Sequence, residues 1–157
     1  MGNRTLRGLS LAVAILFIAA APGWAGTKVA AKIKYHPQSG SSPKVKKECA
    51  LDTKIPEIFA ESIEGLSIGG GGGTRLELTI RDVHAPPAGM FSGPKWVTVY
   101  GTLKKGGREI GTFRAKRNTF TGKGTCGMLT RCVAAMADDV GEWLKNPTKD
   151  ARLGDAK

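Results

Sequence analysis

Between residues 75 and 144 the chain passes through three alternating segments and then one long segment of helical period, which limits it to helices lying on a sheet. In residues 75–81, Leu76, Leu78 and Ile80 point one way, and Arg75, Glu77, Thr79 and Arg81 point the other. A period of two with one apolar side is a half-buried strand. Residues 96–103 repeat the pattern, with Val97, Val99 and Leu103 set against Trp96, Thr98, Tyr100 and Thr102. Lys104, Lys105, Gly106 and Gly107 make a turn, because glycine reaches positive φ without steric cost. The chain then returns over residues 109–117, with Phe113 and Ala115 opposite Thr112, Arg114 and Lys116. This pair is expected as a hairpin.

After a glycine-rich connection, Leu129, Cys132, Val133, Met136, Val140 and Leu144 recur at spacings of three and four. That is the apolar stripe of a helix, which Asn146 and Pro147 end. Upstream, Asp52 or Thr53 can cap a second helix in which Ile55, Phe59, Ile63 and Leu66 share a face. Residues 44–51 are expected as a short strand carrying Val45, Cys49 and Leu51 on one side. The predicted fold is α+β: a two-layer sandwich of a mainly antiparallel sheet with two helices on one face, in the order β-α-β-β-β-α.

The outlying segments divide the chain further. Arg4 and Arg7, the apolar run of residues 9–21 and the small residues before Ala25 predict a signal peptide over 1–25. The apolar run is too short to span a bilayer, which takes ~20 residues. Periplasmic or secreted localisation follows, after cleavage near Ala25. Residues 26–43 are expected as a basic N-terminal arm or edge strand plus linker, 44–147 as a single domain, and 148–157 as a disordered tail. The five glycines of 69–73 have no following Lys-Ser or Lys-Thr and precede a strand, so a flexible connector is expected rather than a phosphate loop. Residues 84–94 are expected as a long loop exposing Met90 and Phe91.

The formal net charge of the chain is +11; removing 1–25 takes away two arginines and no acid, leaving +9 (11 minus 2). Such a charge draws a protein to anionic surfaces. All three cysteines lie beyond the leader, so export predicts one disulfide and one thiol. The favoured pair is Cys49 with Cys126, each just upstream of a helix, and Cys49 with Cys132 is the alternative. Zinc is disfavoured, since the cysteine spacing matches no zinc motif and only His36 and His84 could assist. No metal or cofactor is expected.

Catalysis by Ser-His-Asp or Cys-His needs a base held by a third group, and neither histidine has an evident one. No enzyme is expected. The sheet side away from the helices would carry Arg75, Arg81, Trp96, Tyr100, Arg114 and Lys116. Cations interleaved with aromatics on a sheet can bind an anionic polymer. The plainer alternative is a cross-strand aromatic cluster kept soluble by its cations. The lysines of residues 28–47 offer a second basic surface, for peripheral membrane contact, or else a solvated arm.

Cys49 followed by the Leu-Asp-Thr-Lys-Ile-Pro-Glu run, the strand at residues 75–80, and the ending from Cys126 through Val140, Trp143 and Leu144 to Pro147 resemble small exported proteobacterial proteins of an uncharacterised family. The resemblance spans about residues 49–147. It implies a bacterial envelope location and transfers no active site. Small lysozyme inhibitors are another exported class of this size, but a basic chain would face like-charge repulsion from lysozyme. The expected partner is an anionic envelope polymer or lipid, or an envelope protein if the chain is an assembly subunit. Nucleic acid is not expected outside the cell.

Overall fold

The computed structural model describes residues 26–86 and 93–156, so the expected signal peptide and the Met90–Phe91 loop tip lie outside the described residues. The three alternating segments form β4 (Thr74–His84), β5 (Lys95–Lys105) and β6 (Arg108–Thr119), paired antiparallel throughout. Short strands join their flanks in parallel. These are β1 (Thr27–Val29), β2 (Lys34–Tyr35), β3 (Leu66–Ile68) and β7 (Ala151–Gly154). The sheet runs β3-β1-β4-β5-β6-β7, with β2 beside β4. Three helices, α1 (Pro43–Cys49), α2 (Leu51–Ser62) and α3 (Gly124–Lys145), pack on it, which makes the fold α+β.

The expected periods bury what they should. Leu76, Leu78 and Ile80, Val97, Val99 and Leu103, and Phe113 and Ala115 form the sheet's half of the core, and the whole α3 stripe lies against them. The Phe113 ring stands directly on Gly101, where an added Cβ would come within 2.2 Å of it. Its other neighbour is Trp143 of α3, edge-to-face at 4.9 Å. Glycine at 101 therefore lets an aromatic ring fill the space of a side chain on the next strand.

Five expectations are corrected. Residues 44–51 are helical. Val45 and Cys49 are four apart, a spacing that suits both periods, and Ser42 decides the matter by accepting a hydrogen bond from the Val45 N–H at 3.2 Å with Pro43 at the first helical position. The next helix is not capped by Asp52 or Thr53. Ala50, at φ 44°, turns the chain from α1 directly into α2. Pro56 lies inside α2, where its missing N–H frees the Asp52 carbonyl. The Ile33 N–H fills that gap at 2.9 Å.

The basic segment is not a loose arm, and only its second half, β2, lies at an edge. β1 lies between β3 and β4, with Thr27 and Val29 fully buried, and β2 continues its line along β4. Part of the expected linker is also anchored, since the Ser39 carbonyl accepts from the Val83 N–H at 2.8 Å. The glycines of 69–73 carry the chain across β1, from its β3 side to its β4 side. Cβ atoms at Gly69 and Gly72 would sit 3.4 Å from the Lys28 side chain, and Gly71 and Gly72 take φ near 90°. Glycine at 71 and 72 supplies the positive φ that the crossing takes.

The tail, lastly, is ordered as β7. Asp155 accepts from the Asn118 backbone and side-chain N–H groups at 2.9 and 2.7 Å. Arg117, held by Asp139 through two bonds of 2.7 and 2.6 Å, reaches Asp155 at 3.8 Å. Ala151 and Leu153 pack against the core with Arg152 turned outward, an alternation too short to announce a strand.

Candidate functional site on the open sheet face

Register partners on adjacent strands point to the same side, so the side facing away from α2 and α3 can be read row by row. One row crosses five strands: Lys34, Thr79, Tyr100, Arg114 and Arg152. At ~4.8 Å per strand it is about 19 Å long. Tyr100, in the middle, is 41% exposed. Lys34, Arg114 and Arg152 are exposed, and among the described residues none of the three makes an ion pair. Arg114 and Arg152 are cross-strand neighbours, an arrangement of like charges that costs stability in the absence of an anion.

Around this row lies a shallow depression of about 490 Å³, floored by Gly101 and Phe113 and edged by Thr102, Thr112, Asp150 and the two arginines. The Asp150 N–H donates to the Thr112 hydroxyl at 2.8 Å, which orients both side chains at the rim. Asp150 is the one carboxylate among the residues lining the depression.

The other sequence-predicted residues fall outside this centre to different degrees. Lys116 is one register step along β6 from the row, paired with buried Thr98. Trp96 is two steps from Tyr100, but it is covered on both sides. His84 stacks on it at 3.7 Å, and the Lys116 ammonium lies over the ring at 4.9 Å. The indole N–H donates to Asp82 at 2.7 Å. Trp96 is thus the ordinary cross-strand cluster, and Tyr100 is the exposed aromatic at the centre of this side. Arg81 occupies the bulge between Ile80 and Asp82 and turns to His36, 3.2 Å away. Arg75 lies at the far end, paired with Lys28 and Lys104, about 13 Å from the row by strand rise.

Sequence reasoning missed Lys34 as a member of the row, and Arg152 and Asp150 altogether, because a polar tail gives no strand signal. The lysines of the N-terminal segment are partly engaged. Lys28 donates to Ser67 at 2.9 Å, Lys32 pairs with Asp52 at 3.2 Å, and Lys46 lies over Tyr35 at 4.9 Å. Burial, then the charge of Asp52, pushes the Tyr35 phenol pKa up.

Cys49 and Cys126 are joined by a disulfide, with Cα atoms 5.0 Å apart, at the end of α1 and in the first turn of α3. A second concavity of about 670 Å³ lies over this disulfide and is rimmed by Lys44 and Lys123. It borders Ala85, and on its rim Lys44 lies 4.0 Å from Glu48. Cys132 is buried under β5, its thiol 3.6 Å from the Lys95 carbonyl. Among the described residues no three His, Cys, Asp or Glu side chains gather as a metal site, and no helix is long and apolar enough to cross a membrane.

No family model matches the chain, and no curated protein does. Solved bacterial structures do resemble it. The PelC dodecamer from Paraburkholderia phytofirmans is similar over 74% of this chain and 89% of that one, at 12% identity and a TM-score of 0.48. A DUF330 protein from Xanthomonas campestris is similar over 78% and 87%, at 10% identity and a TM-score of 0.49. These likenesses concern the course of the chain only.

Proposed function

We infer that the chain is an exported, non-enzymatic binding domain of the bacterial envelope that takes an anionic envelope component on its open sheet face. The observation that carries this is the row of Lys34, Arg114 and Arg152 around exposed Tyr100, with no carboxylate paired to any of the three cations among the described residues. Cations held without partners on a rigid sheet are available to an incoming anion at no cost in broken ion pairs. A binding role without catalysis is further supported by the engagement of both histidines, His36 with Arg81 and His84 with Trp96.

The test is retention of the purified protein on immobilised heparin, and its sedimentation with vesicles of anionic phospholipid, at low and high salt. Binding is expected at low salt and should weaken steeply as salt rises. Arg114→Ala with Arg152→Ala should elute well ahead of Lys47→Ala with Lys105→Ala, which removes the same charge elsewhere. Equal elution of the two double variants would sink the proposal, since overall charge would then explain everything.

A second role, as a subunit of an envelope assembly, is favoured by the outer edge of β3. No strand covers it, and exposed Ile68 ends it. Such an edge can accept a strand from a partner. A salt-resistant complex with an envelope protein, lost in Ile68→Lys, would favour this role.

A further inference from the structure

We propose that the row is a subsite for an acidic polysaccharide running across the strands, with the ring of one sugar on Tyr100 and its carboxylate between Arg114 and Arg152. This rests on the binding role above and names its ligand class. Three features of the row suit an acidic glycan.

First, the depression offers one open aromatic face. A sugar needs one apolar platform per stacked ring, whereas a single strand of nucleic acid is held by successive stacked bases. Trp96 cannot serve as the next platform, because His84 and Lys116 occupy its two faces. Second, the charged groups are guanidiniums on neighbouring strands, whose planar forks match a carboxylate in two-bond geometry. Third, the same depression carries Asp150, Thr102 and Thr112. The Asp150 carboxylate and the Thr102 hydroxyl can accept from sugar hydroxyls, donors that a chain of ionised phosphates lacks. The shallow, open shape also suits a polymer laid across the sheet, with Lys34 meeting a further acidic group beyond Tyr100.

Calorimetric titration of the purified protein with oligogalacturonate and oligoalginate, with methyl-esterified oligogalacturonate, with polyphosphate and with an oligothymidylate tests the assignment. At least one uronate oligomer is expected to bind, with the ester at least about tenfold weaker, since it keeps the rings and loses the charge. Tyr100→Leu should weaken uronate binding by about tenfold, the scale of one lost stacking contact, and leave polyphosphate binding nearly unchanged. Tyr100→Phe should retain it. Circular dichroism and melting of each variant report that the fold persists. If polyphosphate or oligothymidylate binds more tightly than both uronates, or Tyr100→Leu affects all anions alike, the glycan assignment is overturned while the anion-binding face stands. If no anion binds and the heparin test also fails, both are overturned.

Discussion

A single missing side chain organises the centre of the sheet. Because the Phe113 ring occupies the place of a Cβ on Gly101, Gly101→Ala should force the ring away and cost about 2 kcal/mol or more, read as a lower midpoint in denaturant. Cys132 gives a second expectation at this scale. Burial pushes its thiol pKa from 9.0 up to about 11, so the folded chain holds that proton more tightly than the unfolded chain. The stabilisation is full below pH about 9 and is lost as pH rises through about 11. Unfolding measured across that window should show a decline that Cys132→Ala lacks. The thiol should also resist alkylation at neutral pH until the chain is denatured. At the residue scale the open face was only half legible. Alternation placed Tyr100 and Arg114 correctly on one side, but whether an aromatic is free depends on neighbours from other strands, and no pattern within β5 reveals that His84 and Lys116 close over Trp96.

Long elements announced themselves and short ones did not. The three long strands and α3 each repeat their period often enough that one side must be apolar, and every residue read into the α3 stripe is buried, with Met128, Ala137 and Trp143 widening it. α1 has one pair of buried residues, four apart, and its identity rests on a cap rather than on a period. β1 has three residues and β7 four, and β7 adds the polar bonds of Asp155 and Arg117 to the packing of Ala151 and Leu153. The disulfide ties α1 to the start of α3 across 77 residues of sequence, so it restricts the unfolded chain strongly. Cys49→Ala with Cys126→Ala should cost about 2–5 kcal/mol, seen as a lowered melting temperature that reducing agent reproduces in the parent protein. Binding at Tyr100 should survive at temperatures where the variant is still folded, because the disulfide and the row belong to opposite faces of the sheet.

As a whole the molecule is two layers with its polar exception on one side. The helices cover one face, and the other carries Tyr100 and the row of cations beside engaged groups such as Trp96 and Asp82, so the open face follows from the architecture once the helices are placed. Protection from hydrogen exchange should be greatest in the amides shared by β4, β5 and β6, with β3 and β7 opening at lower free energy. Slow exchange in β7 equal to that in β5 would mean that the C-terminal strand is part of the global unit. The glycine crossing over Lys28 bears on how this molecule comes to be. β1 leads the described chain, yet its two flanking strands are supplied by residues 66–76, and its contact from Lys28 to Ser67 spans 39 positions. Its partners therefore do not exist until about two fifths of the span from residue 26 to 156 has emerged, and closing that loop adds entropy cost before any pairing is won. A chain that leaves its channel amino end first would carry β1 as a waiting strand until residues 66–76 follow it and close on both of its sides.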